Sequence, residues 1–145
     1  MANTDIARHP DIVALRERYE MASARPIAGV VEGLTFLTAL YLAASPWIVG
    51  FRGLTEITVA NLVAGGGLAF LALALSTSYG RLHGLTWVVP AIGVWTLTAP
   101  WAIVGVMDTT RTIWSNEFAG GFIVVLGLLM MLIGAQRTGR VAGPR

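Results

Sequence analysis

Cysteine is absent from this chain, which excludes disulfides, thiolate metal sites and thiol nucleophiles together. Lysine is absent too. All ten basic residues are arginine, and their scatter along the chain forms no phosphate-recognition cluster. Charge of either sign is scarce: 12% of the 145 residues are charged, where soluble domains carry about 25%. The two histidines, His9 and His83, are too few and too far apart to suggest a metal site. No nucleophile–base–orienter set, phosphate-binding loop or metal-ligand spacing occurs. No catalytic, cofactor-binding or metal-binding residue is therefore assigned, no cofactor is expected, and the chain reads as non-enzymatic.

What fills the space is apolar. Hydrophobic residues make up 55% of the sequence, gathered into four runs of roughly 18–22 residues, each enough to cross about 30 Å of hydrocarbon as a helix. Spans are expected over 27–47, 57–76, 85–106 and 118–135. Ahead of them, Pro10 and Asp11 suit a helix start. Ile12, Leu15, Tyr19 and Ala22 then recur on one side of a short amphipathic helix expected to end near Arg25-Pro26. No apolar signal-peptide core precedes the first span, so that span is expected to be an uncleaved anchor.

Eight of the ten arginines fall before span one, between spans two and three, or after span four, whereas only Arg52 and Arg111 fall on the opposite side. The positive-inside rule then puts both termini in the cytoplasm. The lipid bilayer is the expected surrounding, with no nucleic-acid partner.

The spans carry an internal duplication. Ser45-Pro46-Trp47, followed by Asn61-x-x-Ala64-Gly65-Gly66, returns as Ala99-Pro100-Trp101, followed by Asn116-x-x-Ala119-Gly120-Gly121. The Pro-Trp pairs are 54 positions apart and the asparagines 55. The expected fold is thus an all-α membrane protein: four transmembrane helices forming two parallel two-helix repeats, preceded by the amphipathic helix. Its parts are a cytoplasmic tail and helix (1–26), a first repeat (27–80), a second repeat (81–136) and a basic cytoplasmic tail (137–145).

Each motif residue has a physical role to test. Pro46 and Pro100 lack amide hydrogens, so the carbonyls of Leu42 and Thr96 lose their i+4 donors; Ser45 and Thr98 are placed to repair the loss. Trp47 and Trp101 suit the outer interface, and Trp95 is expected to pack between helices. Gly65, Gly66, Gly67, Gly120 and Gly121, with Gly29 and Gly33, permit close helix approach. Asn61 and Asn116 would either cap their helices or hydrogen-bond to the opposite repeat. The outer loops each offer one basic and one acidic group, Arg52 with Glu56 and Arg111 with Asp108 or Glu117, which suggests salt-bridged loop closure. Glu32 is the candidate ionisable site. It lies about five residues into span one, with Thr86 as its repeat counterpart, and either reaches boundary arginines or serves a transport path.

Ala44-Ser45-Pro46-Trp47-Ile48-Val49-Gly50-Phe51 resembles the signature of the bacterial SPW-repeat membrane proteins. Thr98-Ala99-Pro100-Trp101 resembles a degenerate second copy, with Ala99 where the serine would stand. His9-Pro10-Asp11 and the Arg-rich stretch after it resemble the leader of two-repeat members. The resemblance covers residues 9–135. It implies a four-span protein of the bacterial cytoplasmic (inner) membrane. It brings no activity, and no catalytic residue is carried over.

The leading functional expectation is a structural or accessory membrane protein that assembles with itself or with a membrane protein partner through Gly-rich helix faces. The rival is a small channel or transporter using Glu32.

Overall fold

A computed structural model describes residues 10–104 and 110–141. His9, Gly105, Asp108 and Arg145 lie outside the described residues, as do the side chains of Tyr19, Ala22, Arg25, Arg81 and His83. The described chain is helical, with no strand: α1 (Pro10–Ser45), α2 (Thr55–Leu82), α3 (Val88–Ala99) and α4 (Thr110–Val141). A 3₁₀ turn, His83–Leu85, precedes α3, and five-residue π-helices, Pro46–Gly50 and Pro100–Val104, follow α1 and α3.

The chain divides into two compact units, Met1–Val30 and Val31–Arg145. In the first, the expected short amphipathic helix does not end at Arg25-Pro26. Helix α1 runs through Pro26 without a break. Proline fixes φ near the helical value, so the helix continues past Pro26 although one amide donor is lost and the ring crowds the carbonyl of Ala22. Ile12 and Leu15 are exposed along this segment.

In the second unit, the buried positions of α2 recur every three or four residues: Ile57, Asn61, Gly65, Leu68, Ala72 and Leu75. Each of these six has a buried counterpart in α4, 55 residues later: Thr112, Asn116, Gly120, Ile123, Gly127 and Met130; Ala69 of α2 and Ser115, Ala119, Leu126 and Gly134 of α4 are buried besides. Alternating three- and four-residue steps hold one side of a helix towards its neighbours, as in a heptad seam. Leu42, Leu68, Leu75, Val89, Ile123 and Met130 form the centre of the apolar core.

Three helical stretches are long and apolar enough to cross a membrane by length and composition: Pro26–Gly50, Thr55–Thr77 and Thr110–Gln136. Val88–Ile103 is a shorter apolar helix. The expected third span thus begins later, because residues 83–87 form a 3₁₀ turn and a further turn. The fourth begins earlier, because α4 takes in the polar residues from Thr110 to Glu117.

Both π-helices begin at the proline of a Pro-Trp pair. The proline ring crowds the carbonyl four residues back, and opening the following turn to π geometry relieves that crowding at a single turn. The first π-helix ends on Gly50 at φ +89°, a conformation that glycine adopts without the Cβ penalty.

Candidate functional site

The motif residues converge on a polar cluster inside the helical bundle. Asn61 and Asn116 are 2% and 0% exposed, and each is the seventh residue of its helix. Neither caps. Asn61 Nδ2 donates to Asn116 Oδ1 at 2.8 Å and to Ser45 Oγ at 3.2 Å. Ser45 Oγ donates onward to the carbonyl of Leu42 at 2.8 Å, the carbonyl that Pro46 deprives of its i+4 amide. One serine therefore repairs the proline break and anchors the asparagine.

The second motif does this only in part. Ala99 has no hydroxyl, and Asn116 Nδ2 is buried with no hydrogen-bond partner among the described residues. Thr98 does not substitute as expected. Its Oγ1 donates to the carbonyls of Val94 and Trp95, both at 3.1 Å, not to Thr96. Thr98 is exposed, and its position on α3 turns the hydroxyl away from the side where Pro100 removes a donor. Thr58 Oγ1, one turn before Asn61, is a second buried polar atom without a partner among the described residues.

Tyr41 and Ser115, the neighbour of Asn116 in sequence, make a separate 3.2 Å contact between their hydroxyls. Sequence reasoning passed over this pair, because positions 54 or 55 residues away hold Trp95 and Ala60 and no repeat signal marks it.

The glycines separate into two kinds. A Cβ on Gly65 would lie 2.5 Å from Ala43 N and 2.6 Å from Ala39 O, and one on Gly120 would lie 2.9 Å from both Gly93 O and Leu97 N. Ala39 and Ala43 stand in register with Gly93 and Leu97, so α1–α2 and α3–α4 approach each other alike. Gly66, Gly67, Gly121 and Gly33, as well as Gly29 in the first unit, would meet nothing within 4 Å. Only the first glycine of each Gly-Gly pair therefore serves a contact inside the chain.

Trp47 and Trp101 are about equally exposed. Trp95 is exposed as well rather than packed between helices, because it lies on the side of α3 opposite Gly93 and Thr96. Arg52 and Glu56, and Arg111 and Glu117, make no ion pair among the described residues, and Asp108, the other expected partner of Arg111, lies outside them. Glu32 is half-buried and Thr86 buried, and both have interaction partners. Thirteen residues separate Glu32 from Ser45, about 20 Å along a helix, so the fold does not bring the carboxylate to the asparagines.

Against known families, residues 29–130 match the SPW repeat domain. The chain belongs to the SPW repeat family. No curated protein and no solved structure matches it. The match encloses both Pro-Trp pairs, both asparagines and both Gly-Gly pairs, so the polar cluster is built entirely from SPW-domain residues. The SPW family and the long apolar helices make this a multi-pass membrane protein.

Proposed function

We propose that this SPW-repeat chain is a non-enzymatic, structural or accessory protein of the bacterial cytoplasmic membrane that works by assembly. The helices α1 to α4 would provide four spans, with Val88–Ile103 as the short third crossing. They would form two parallel two-helix repeats, the product of an internal duplication, with both termini cytoplasmic. The partner is a second copy of the chain or another membrane protein.

The division of labour within each Gly-Gly pair carries this reading. Gly65 and Gly120 are used up by contacts inside the chain, while Gly66 and Gly121 present open backbone. In lipid, close backbone approach at small residues is a main source of helix association. The cluster between the repeats supports the same view, because Asn61 and Ser45 hydrogen-bond within the protein. A buried asparagine in a helical seam sets register.

The test is native mass spectrometry from nanodiscs for wild type, Gly66→Leu and Gly121→Leu. Both variants are expected to keep their fold and lose the oligomer or partner. If both retain the wild-type assembly, the interface is elsewhere.

A small channel or transporter is the second reading, and it draws on one observation: Glu32 is a half-buried carboxyl within the first apolar stretch. It requires that Glu32→Gln alter a pH-dependent flux in reconstituted vesicles while leaving the fold intact.

A further inference from the structure

Arg111 and Glu56 occupy the same place in the two halves of the chain. Each is the second residue of its helix, 55 positions apart, exposed, and of opposite charge. Below them the two helices present unlike surfaces. From Arg111, the exposed residues Trp114, Phe118 and Phe122 follow at helical spacing on one side of α4. Trp114 and Phe118 are 72% and 71% exposed, and the rings of Phe118 and Phe122 stack in parallel at 6.3 Å. This is a ridge of aromatic rings with a cation at its outer end.

From Glu56, the matching residues of α2 are small: Val59, Val63 and Gly67, with Ala60 and Ala64 beside them. Together with Trp87, Ala91 and Trp95 of the second half, they line an open groove of about 760 Å³. It is apolar apart from the carboxylate near its outer end. The corresponding groove on the α4 side is smaller, about 390 Å³, with the Tyr41–Ser115 hydrogen bond in its wall. Arg111, Trp114 and Phe118 line this smaller groove themselves, so the α4 side carries the more exposed rings and the α2 side the larger groove.

Depth in the membrane makes the two correspond. Copies of one chain insert with the same orientation, so residues at equal depth meet. Phe118 lies seven residues below Arg111, as Val63 lies seven below Glu56, about 10 Å down each helix. Phe122 and Gly67 are each eleven below, about 16 Å. The rings of Phe118 and Phe122 thus stand level with the smaller Val63 and Gly67, and Arg111 with Glu56.

We infer that the occupant of this groove is the α4 ridge of a second copy, with Arg111 of one chain against Glu56 of the next. This rests on the assembly reading above and sets the contact beside the open glycines Gly66 and Gly121 rather than on them. Because the two surfaces differ, the contact is heterologous and repeats from chain to chain, closing into a ring or running on as a row. The exposed aromatics gain apolar packing against a floor of Ala60, Ala64 and Gly67 and walls that include Trp87 and Trp95, and packing of this kind holds helices together in lipid. The charge pair fixes which side meets which.

The absence of cysteine provides a clean test. Two single-cysteine chains, Glu56→Cys and Arg111→Cys, are reconstituted separately and as a mixture, then treated with a short bismaleimide. Cross-linked dimers are expected in the mixture and not in either chain alone. Linkage within one variant as strong as in the mixture means a self-complementary face and overturns the proposal.

Native mass spectra of the wild type separate the remaining outcomes. Oligomers without a 56–111 cross-link reject this interface and leave assembly standing, with lipid or another protein in the groove. A wild-type monomer removes both. In the non-cysteine background, Glu56→Arg and Arg111→Glu should each weaken association about tenfold or more, and the two together in one chain should restore it. Failure of the double variant to recover, with the fold intact, rejects the charge pairing.

Discussion

A Cβ placed on Gly65 falls 2.5 Å from the backbone nitrogen of Ala43. No real Cβ approaches so closely, and the obstacle is main chain, which cannot rotate away. Gly65→Ala is therefore expected to destabilise the protein by about 1–3 kcal/mol through overpacking. Gly66→Ala should cost nothing in the isolated chain and gain up to about 1 kcal/mol of helix propensity. Thermal unfolding of both variants in one detergent checks the contrast. Equal effects would mean that α1 and α2 do not meet at Gly65.

The two asparagines should differ in the same experiment. Asn61→Ala removes two hydrogen bonds and strands Asn116 Oδ1, an expected loss of about 2–3 kcal/mol. Asn116→Ala removes one bond together with an amide nitrogen that already lacks a partner, so a smaller loss is expected. A larger loss at Asn116 would reverse the bond direction described here.

Ala99→Ser should stabilise the protein. In the first motif Ser45 both accepts from Asn61 and donates to Leu42. A serine at 99 would stand in the same relation to Asn116 and to Thr96, each short of a partner or donor. The expected gain is about 0.5–1.5 kcal/mol, and it should vanish in an Asn116→Ala background. A loss of stability would show that the site has no room for the hydroxyl.

Gly50→Ala forces a Cβ into the φ +89° conformation, at an expected cost of about 1–2 kcal/mol. Gly53→Ala, where no positive φ occurs and a Cβ meets nothing within 4 Å, is the control and should be close to neutral.

Under the assembly reading, Glu32→Gln leaves proton flux through reconstituted vesicles at the wild-type level across pH 5–8. A flux that changes with this substitution, in a folded protein, favours the channel reading instead.

Much of the second unit was legible because lipid-sized apolar runs and a 54- to 55-residue offset are long-range signals that survive local noise. The long apolar helices and the choice of Asn61 and Asn116 as polar contacts follow from them, whereas whether each asparagine caps its helix or reaches the opposite half did not. Helix ends were less legible. Thr110-Arg111-Thr112 is polar and reads as loop, yet α4 begins there, since a helix can project beyond the apolar zone without changing its backbone pattern. Pro26 reads as a stop, but its fixed φ is helical, and the loss of one bond and the crowding of one carbonyl do not end the helix. Which glycine of each pair faces inward depends on helix rotation, and adjacent residues differ by about 100° about the axis. Composition cannot resolve that angle. The Tyr41–Ser115 contact joins residues of opposite halves with no shared periodicity, so nothing in the sequence announced it.

A single N–H···O bond between two like side chains has a head and a tail. An axis relating the two halves of this molecule would map donor onto donor, so the bond from Asn61 to Asn116 cannot obey it. However closely the backbones correspond, the centre of the protein carries an arrow. The serine at 45 and the alanine at 99 give that arrow an orientation, because only one of the two amides has somewhere else to donate. Left and right are thereby inequivalent at the core, as the unlike residues Glu56 and Arg111 make them at the surface.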